Sequence, residues 1–359
     1  MNTQSDFTRQ LFDSVNFITE NIRTAENIYK DFLRWSGLFI NDQGEGKRYS
    51  IANQLLIYGY NNHARLVRNE DEWKHMGVSV IKPEQQIYIL KKNETGYEAR
   101  TVYDISSTNA QQLKLINGRD WGSKCEALIA SAPCQIKFNS QLGNQRMNYI
   151  QKDNIITAGK GFVSYENIFA SLSQEYAHFH ICGEMKKRFD IEIDKKMKEA
   201  AAPVMREAFY KSVEGKFYEL SPGEPIRKDR EGRLFILEQD RDGNLYKVHV
   251  EKKLVEEPQK EVRKPEFRYS RNSCQHMAYA VSCLTGTAAG IDQGAYSFSN
   301  EAWKKKKLPE IRDELDIITD AGRKILLDYN EALFRQGNAV YEDFQNKTEQ
   351  VNQAESEVV

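Results

Sequence analysis

No stretch of this 359-residue chain approaches the run of about 18 apolar residues that a membrane-spanning helix needs. Its first residues, MNTQSDFTRQ, lack a basic segment followed by an apolar one, so a cytoplasmic location without membrane attachment is expected. Cysteine is scarce. The five present (Cys125, Cys134, Cys182, Cys274 and Cys283) are odd in number and never spaced C-x-x-C, which excludes a disulfide framework and a zinc ribbon and leaves reduced, mostly buried thiols. Charge of one sign is lacking too: the net charge of −1 provides no global basic field, and any nucleic-acid contact must come from a local patch.

With 40% hydrophobic and 29% charged residues, what is present suits a globular protein of two domains. Apolar residues at Leu11, Val15, Ile18, Ile22, Ala25, Tyr29 and Phe32 form one stripe at helical spacing. A single continuous helix ending near Gly37 is predicted. A second helix starts at Ser50 as N-cap, and the period then changes to short strands through VSVIKPEQQIYILKK and YEARTVYDIS. The segment SSTNAQQLKLINGRD is the best linker candidate.

From residue 120 the pattern gives a helix at 124–131, a strand at 135–138 and a strand pair within 148–158. A helix follows from Ser164 to Gly183, then another over about 193–212. The segment EGRLFILEQDRDGNLYKVHVE alternates about an Asp242-Gly243 turn and reads as a hairpin. Helices near 270–285 and 308–336 close the chain. The fold class expected is α+β, with a domain at 1–110 built of helices on a small antiparallel sheet. A second α+β domain is expected at 111–338, interrupted by an insertion at about 193–262 that carries the hairpin, and a flexible tail at 339–359.

Within SLSQEYAHFH, the stretch Gln174-Glu175-Tyr176-Ala177-His178 is one residue away from H-E-x-x-H. In that pattern two histidines on one helix face hold Zn²⁺, the glutamate polarises the bound water and a third ligand comes from elsewhere. Here Gln174 stands at the first ligand position, and a carboxamide is a far poorer zinc ligand than an imidazole. The later helix, RNSCQHMAYAVSCL, has no carboxylate; Gln275 falls where a glutamate ligand would be sought. His180 and His276 are substitute ligands in the alternative of an active metallopeptidase. The preferred expectation is a hydrogen-bonded polar relic of Gln174, Glu175, His178 and Gln275, with no metal or other cofactor and no catalysis.

Several stretches together resemble a known family. KRYSIANQLLIYGY (47–60), with Tyr49-Ser50-x-x-Asn53 and Leu55-Leu56, then DEWKHMGVSVIK (71–82) and TVYDISST (101–108), resemble the N-terminal single-stranded-DNA-binding domain of ArdC-type antirestriction and LtrC-like proteins of conjugative elements. MNYIQKDNIITAG, YENIFASLSQEYAHFH, CQHMAYAVSCLTG and YSFSNEAW resemble the zincin-like metallopeptidase domain that follows it. Two departures concern the DNA-binding part: Pro83-Glu84-Gln85-Gln86 stands for a Gly-Glu-Lys-Gly turn, and Arg65 for a tryptophan. The resemblance implies single-stranded DNA as partner, protection of transferred DNA as role, and a degenerate zincin-like domain that serves as scaffold or protein-interaction surface. A protein-binding inhibitor of a host defence enzyme is a further alternative.

A local patch fits that implication. Lys47, Arg48, Arg65, Arg68, Lys74, Lys82, Lys91 and Lys92 face only Glu70, Asp71, Glu72 and Glu84 within 47–92, with tyrosines interleaved. Phosphates need such cations and bases need aromatic faces. The DNA-contact residues expected are Lys47, Arg48, Tyr49, Ser50, Asn53, Tyr60, Arg65, Arg68, Lys82 and Lys91.

Overall fold

The computed structural model describes residues 3–43, 48–110, 120–143, 146–162, 164–200, 205–213, 216–221, 223–256, 264–291 and 300–356. It is an α+β protein whose chain partitions into two compact units, Met1–Lys186 with Arg268–Val359, and Lys187–Phe267. The linker expected between 106 and 120 falls largely on 111–119, outside the described residues.

The first unit opens with α1 (Thr3–Thr24) and α2 (Glu26–Gln43). The single helix predicted for this stretch is corrected to two, because regular helix geometry lapses at Ala25, although the bonds Ala25 N–H to Asn21 O and Tyr29 N–H to Ala25 O carry the apolar stripe across the break. Nor does Gly37 end α2. A β-carbon there would lie 2.2 Å from the carbonyl oxygen of Leu284, so the glycine serves close helix packing rather than termination.

Then come α3 (Ile51–Tyr60), N-capped by Ser50, the short strand β1 (Val67–Arg68), and α4 (Glu70–His75), whose Asn69 and Glu72 form a reciprocal capping box. Strands β2 (Ile87–Asn93) and β3 (Gly96–Asp104) complete an antiparallel sheet of order β1-β3-β2. Trp73 of α4 is buried and its indole N–H donates to Tyr103 O, which fixes the helix to the sheet.

The unit continues with α5 (Trp121–Ala130), then β4 (Gln135–Phe138), β5 (Met147–Ile150) and β6 (Ile155–Ala158), a small sheet in which β6 pairs parallel with β4 and antiparallel with β5. Next is α6 (Tyr165–Ala200). Its predicted stop at Gly183 is corrected: that glycine is exposed with open space about it, and a lone glycine in a solvated helix costs only about 1 kcal/mol.

The second unit holds β7 (Met205–Val213), β8 (Lys216–Glu219), β9 (Arg227–Lys228), β10 (Leu234–Gln239) and β11 (Leu245–Glu256), a five-stranded antiparallel sheet of order β8-β7-β11-β10-β9. The predicted hairpin is β10–β11. The helix predicted over 193–212 is corrected at its second half, because β7 pairs along seven residues of β11 and tertiary pairing overrides local propensity. Leu220, Ile236, Val248 and Val250 form the core of this unit.

Back in the first unit, α7 (Arg271–Ala288) and α8 (Leu308–Ser356) pack with α2. Leu284 is the centre of this packing: it lies against Gly37 of α2, and its side chain would clash at 2.6 Å with a β-carbon added at Gly322 of α8.

Candidate functional site

Two places in the first unit gather the residues that the sequence singles out. The first is the interior cluster where α6 meets α7. Glu175 is buried on α6, and its Oε2 accepts the backbone N–H of Tyr149 from β5 at 2.6 Å. Both carboxylate oxygens also accept from the guanidinium of Arg271, the first residue of α7, at 2.7 and 2.5 Å. This fork-on-fork arrangement uses the planar geometry that makes arginine a strong carboxylate partner.

One turn later, His178 is fully buried. Burial, with the nearby charge of Arg271, pushes its pKa down to about 3 despite the hydrogen bond to Gln275. The ring is therefore neutral. Its Nε2 lies 3.3 Å from Gln275 Oε1, an atom that can only accept, so Nε2 carries the proton and Nδ1 accepts from the Tyr269 hydroxyl at 2.7 Å. Gln174 is half-buried one turn before His178.

The structure thus brings Glu175, His178 and Gln275 together, joined by Arg271 and Tyr269, which the sequence reading had not named. Nothing in the spacing of Arg271 pointed to it; it was hidden as the basic first residue of a helix.

These residues do not fit a divalent cation. Zinc and manganese sites are built from imidazole, thiolate or carboxylate donors. Here the ligand positions hold two carboxamides, the one imidazole has both nitrogens engaged, and a permanent cation sits on the carboxylate. The substitute ligands of the alternative do not join the cluster. His276 turns to Glu314 of α8, with Nε2 3.1 Å from Oε2, and His180 lies edge-on to Phe179. Among the described residues, no three His, Cys, Asp or Glu side chains form a group able to hold a metal.

The second place is the surface of the first hundred residues. Two of the predicted contacts are spent on the fold: Tyr49 is buried with its hydroxyl donating to Val67 O, and the Asn53 carboxamide is buried against Leu90 of β2. Ser50 caps α3. Arg48 is exposed and pairs with Asp320 at 2.7 Å. Arg65 Nε donates to Asp42 at 2.5 Å, and Arg68 bonds to the side chain and carbonyl of Gln43. Lys47 lies outside the described residues. Tyr60, Lys82 and Lys91 are exposed.

Strand register sorts the cations. Tyr88 stands opposite Thr101 and Lys92 opposite Tyr97, so Tyr88, Lys92 and Tyr97 share one face of the β2–β3 hairpin. Lys91, opposite Glu98, is on the other face.

On the Tyr88 face, α1 lays Phe7 edge-on to Tyr88 (4.9 Å between ring centres) and Phe12 edge-on to Tyr97 (5.4 Å), while Tyr60 stands 6.1 Å from Tyr88. Tyr60, Tyr97 and Phe12 remain 48%, 50% and 38% exposed. Single rings elsewhere are more open, Phe17 at 67% and Phe138 at 82%, so it is the grouping of these rings beside one another that marks the surface. Sequence reasoning missed Phe7, Phe12 and Tyr97 as members of this surface, and counted Lys92 in the basic patch without placing it among the contacts. The alternation of β2 and β3 was the available signal, but the pairing register was needed to use it.

No protein-family profile and no curated protein matches the chain. Among solved structures, the Mn(II)-bound crystal structure of the antirestriction protein ArdC from the R388 plasmid is similar over 89% of this chain and 97% of that one, with 14% sequence identity and a TM-score of 0.42.

Proposed function

We propose that this chain binds single-stranded DNA without marked sequence preference, through the surface shared by α1, the end of α3 and the β2–β3 hairpin. In this reading it is an antirestriction-type protein of a mobile element, acting in the cytoplasm. The observation that carries the reading is the row of half-open rings, Tyr60, Tyr88 with Phe7, and Tyr97 with Phe12, sharing its face with Lys92. Every base has a π face, so such a row accepts any sequence, and Lys92 beside it pairs with a phosphate.

The Glu175 cluster has a structural role in this reading. A carboxylate clasped through both oxygens by a guanidinium and also bonded to a backbone N–H is neutralised as a base, and the neutral, doubly bonded His178 has no nitrogen to offer. The scaffold of a peptidase is kept and its chemistry is not.

The test is an anisotropy titration of a labelled 30-nucleotide single strand at two salt concentrations, with the matching duplex as competitor. Binding in the micromolar class that prefers the single strand and weakens with salt is expected. Tyr60→Ala with Tyr97→Ala should weaken it by about 1–3 kcal/mol for each base unstacked. No binding by the unaltered protein at low salt would remove the reading.

A further inference from the structure

The longest unbroken run of one charge sign in the chain, Lys304–Lys307, has no part in the surface described so far. It links a single 3₁₀ turn, Asn300–Trp303, to the start of α8. Trp303 anchors it: the indole is buried, 4.4 Å from the ring of Tyr29 on α2, and donates to Glu314 at 2.6 Å, while the backbone N–H of Lys306 returns to Trp303 O. Two of the four ammoniums are spent nearby, Lys304 on Glu301 and Lys306 on Glu314. Lys305 and Lys307 are exposed, and neither has an ion pair among the described residues. Glu310 accepts the backbone N–H of Lys307 at 2.9 Å, so its carboxylate is turned to the start of α8.

Helix α1 connects this turn to the aromatic row. At about 100° per residue, Phe12, Asn16 and Arg23 fall within about 40° of one another, on one side of the helix. Each meets a different neighbour. Phe12 stands 5.4 Å from Tyr97 of β3, Asn16 Oδ1 accepts from the Arg312 guanidinium of α8 at 2.8 Å, and Arg23, paired with Glu20, donates to Lys306 O at 3.5 Å. The side of α1 that begins at the open rings therefore ends at the lysine turn, about 16 Å further along at about 1.5 Å per residue.

We infer that a single strand seated on the rings continues along this side of α1, and that Lys305 and Lys307 hold its phosphates at the far end. This rests on the single-strand reading above and lengthens the path that reading gives the strand. The chemistry of the far end differs from that of the row. A lysine ammonium is a point charge on a flexible stem, suited to a phosphate and blind to the base beside it. The extension therefore adds affinity and salt dependence without adding sequence preference.

The experiment uses the full chain and the labelled 30-nucleotide strand, and reads the slope of log affinity against log salt. Each phosphate contact on a single strand adds about 0.7 to that slope, so Lys305→Ala with Lys307→Ala should lower it by about 1.4. Lys195→Ala with Lys198→Ala removes the same charge from exposed positions on α6 and should leave the slope where it was. A slope unchanged by the first pair, while Tyr60→Ala with Tyr97→Ala still weakens binding, overturns the path and spares the single-strand reading. An equal fall in both lysine pairs overturns the path too, because overall charge then accounts for the loss. A fall confined to the first pair, with the tyrosine variant silent, overturns the continuous path and the aromatic row together. No binding by the unaltered protein removes the single-strand reading itself, and the path with it.

Discussion

The carboxamide of Asn53 makes two hydrogen bonds to one residue: its Nδ2 donates to Leu90 O at 2.9 Å and its Oδ1 accepts from Leu90 N–H at 2.8 Å. Leu90 lies on β2, the edge strand of its sheet, and both of its backbone groups point away from β3. Asn53 thus acts as one residue of a missing neighbour strand, covering an edge that would otherwise be open to another chain. Asn53→Ala should leave two buried backbone groups unsatisfied and lower stability by about 1–3 kcal/mol in urea unfolding. Amide exchange at Leu90 should accelerate in the same variant; an unchanged rate would show that the edge is protected by something else.

Arg271 and Glu175 form a pair in which the carboxylate is almost wholly enclosed. Arg271→Met should cost about 3–5 kcal/mol, since it strands a charge in the interior. Adding Glu175→Gln should recover a large part of that loss, because the charge that needed a partner is then gone. Denaturant midpoints of the two variants decide the point: equal instability would mean that Arg271 contributes by packing alone.

Supplying the missing donors alone should not create a metal site. Gln174→His with Gln275→Glu is expected to take up no stoichiometric zinc, because the Arg271 guanidinium still occupies the carboxylate and repels a second cation. Adding Arg271→Ala to the pair should allow uptake, measured by elemental analysis after dialysis against zinc. Stoichiometric zinc in the double variant would show that the arginine yields its place.

Acid should weaken the first unit in two stages. His178 has a folded pKa near 3 against an ordinary 6.5, so below pH 6.5 the unfolded chain takes up a proton that the folded one refuses. Stability is then lost as pH falls, by about 2 kcal/mol from this residue at pH 5. Glu314 acts lower. Burial raises its pKa, but the hydrogen bonds and charges of His276 and Lys306 outweigh this and bring it to about 2. Its contribution is present above its ordinary pKa of 4.5 and disappears as pH falls toward 2. Urea midpoints at pH 8 and 5 should differ less in His178→Gln than in the parent.

Salt dependence separates the two neighbouring lysines of β2. Each phosphate contact adds about 0.7 to the slope of log affinity against log salt for a single strand. Lys92→Ala should lower the slope by about that amount, while Lys91→Ala, on the opposite face, should leave it alone. The reverse result would move the strand to the other side of the hairpin.

Much of this was legible beforehand because it depends on short-range pattern. Alternation about Asp242-Gly243 gave the hairpin, Ser50 gave the start of α3, and the near-match at Gln174 gave the helix whose interior holds Glu175. What was not legible depends on partners distant in sequence. Gly37 and Gly183 look alike as stop signals, yet one is demanded by Leu284 and the other merely faces solvent. MREAFYKSV continues a helical pattern, and only β11 makes it a strand. Asn53 is expected as a DNA contact from the Tyr49-Ser50-x-x-Asn53 resemblance; its partner lies 37 residues away. Arg271 could not be assigned to Glu175 without knowing that α7 starts beside the middle of α6.

Leu284 is clasped between glycines from helices near the beginning and end of the chain. During synthesis, α2 leaves the ribosome long before its partner α7, and α7 before Gly322. The groove around Leu284 therefore stays open until the part of α8 that carries Gly322 has emerged, and the first unit cannot close around it before then. A ribosome that pauses within residues 288–322 would hold out an apolar helix face with nothing to cover it, which makes that interval the one in which a chaperone has most to protect.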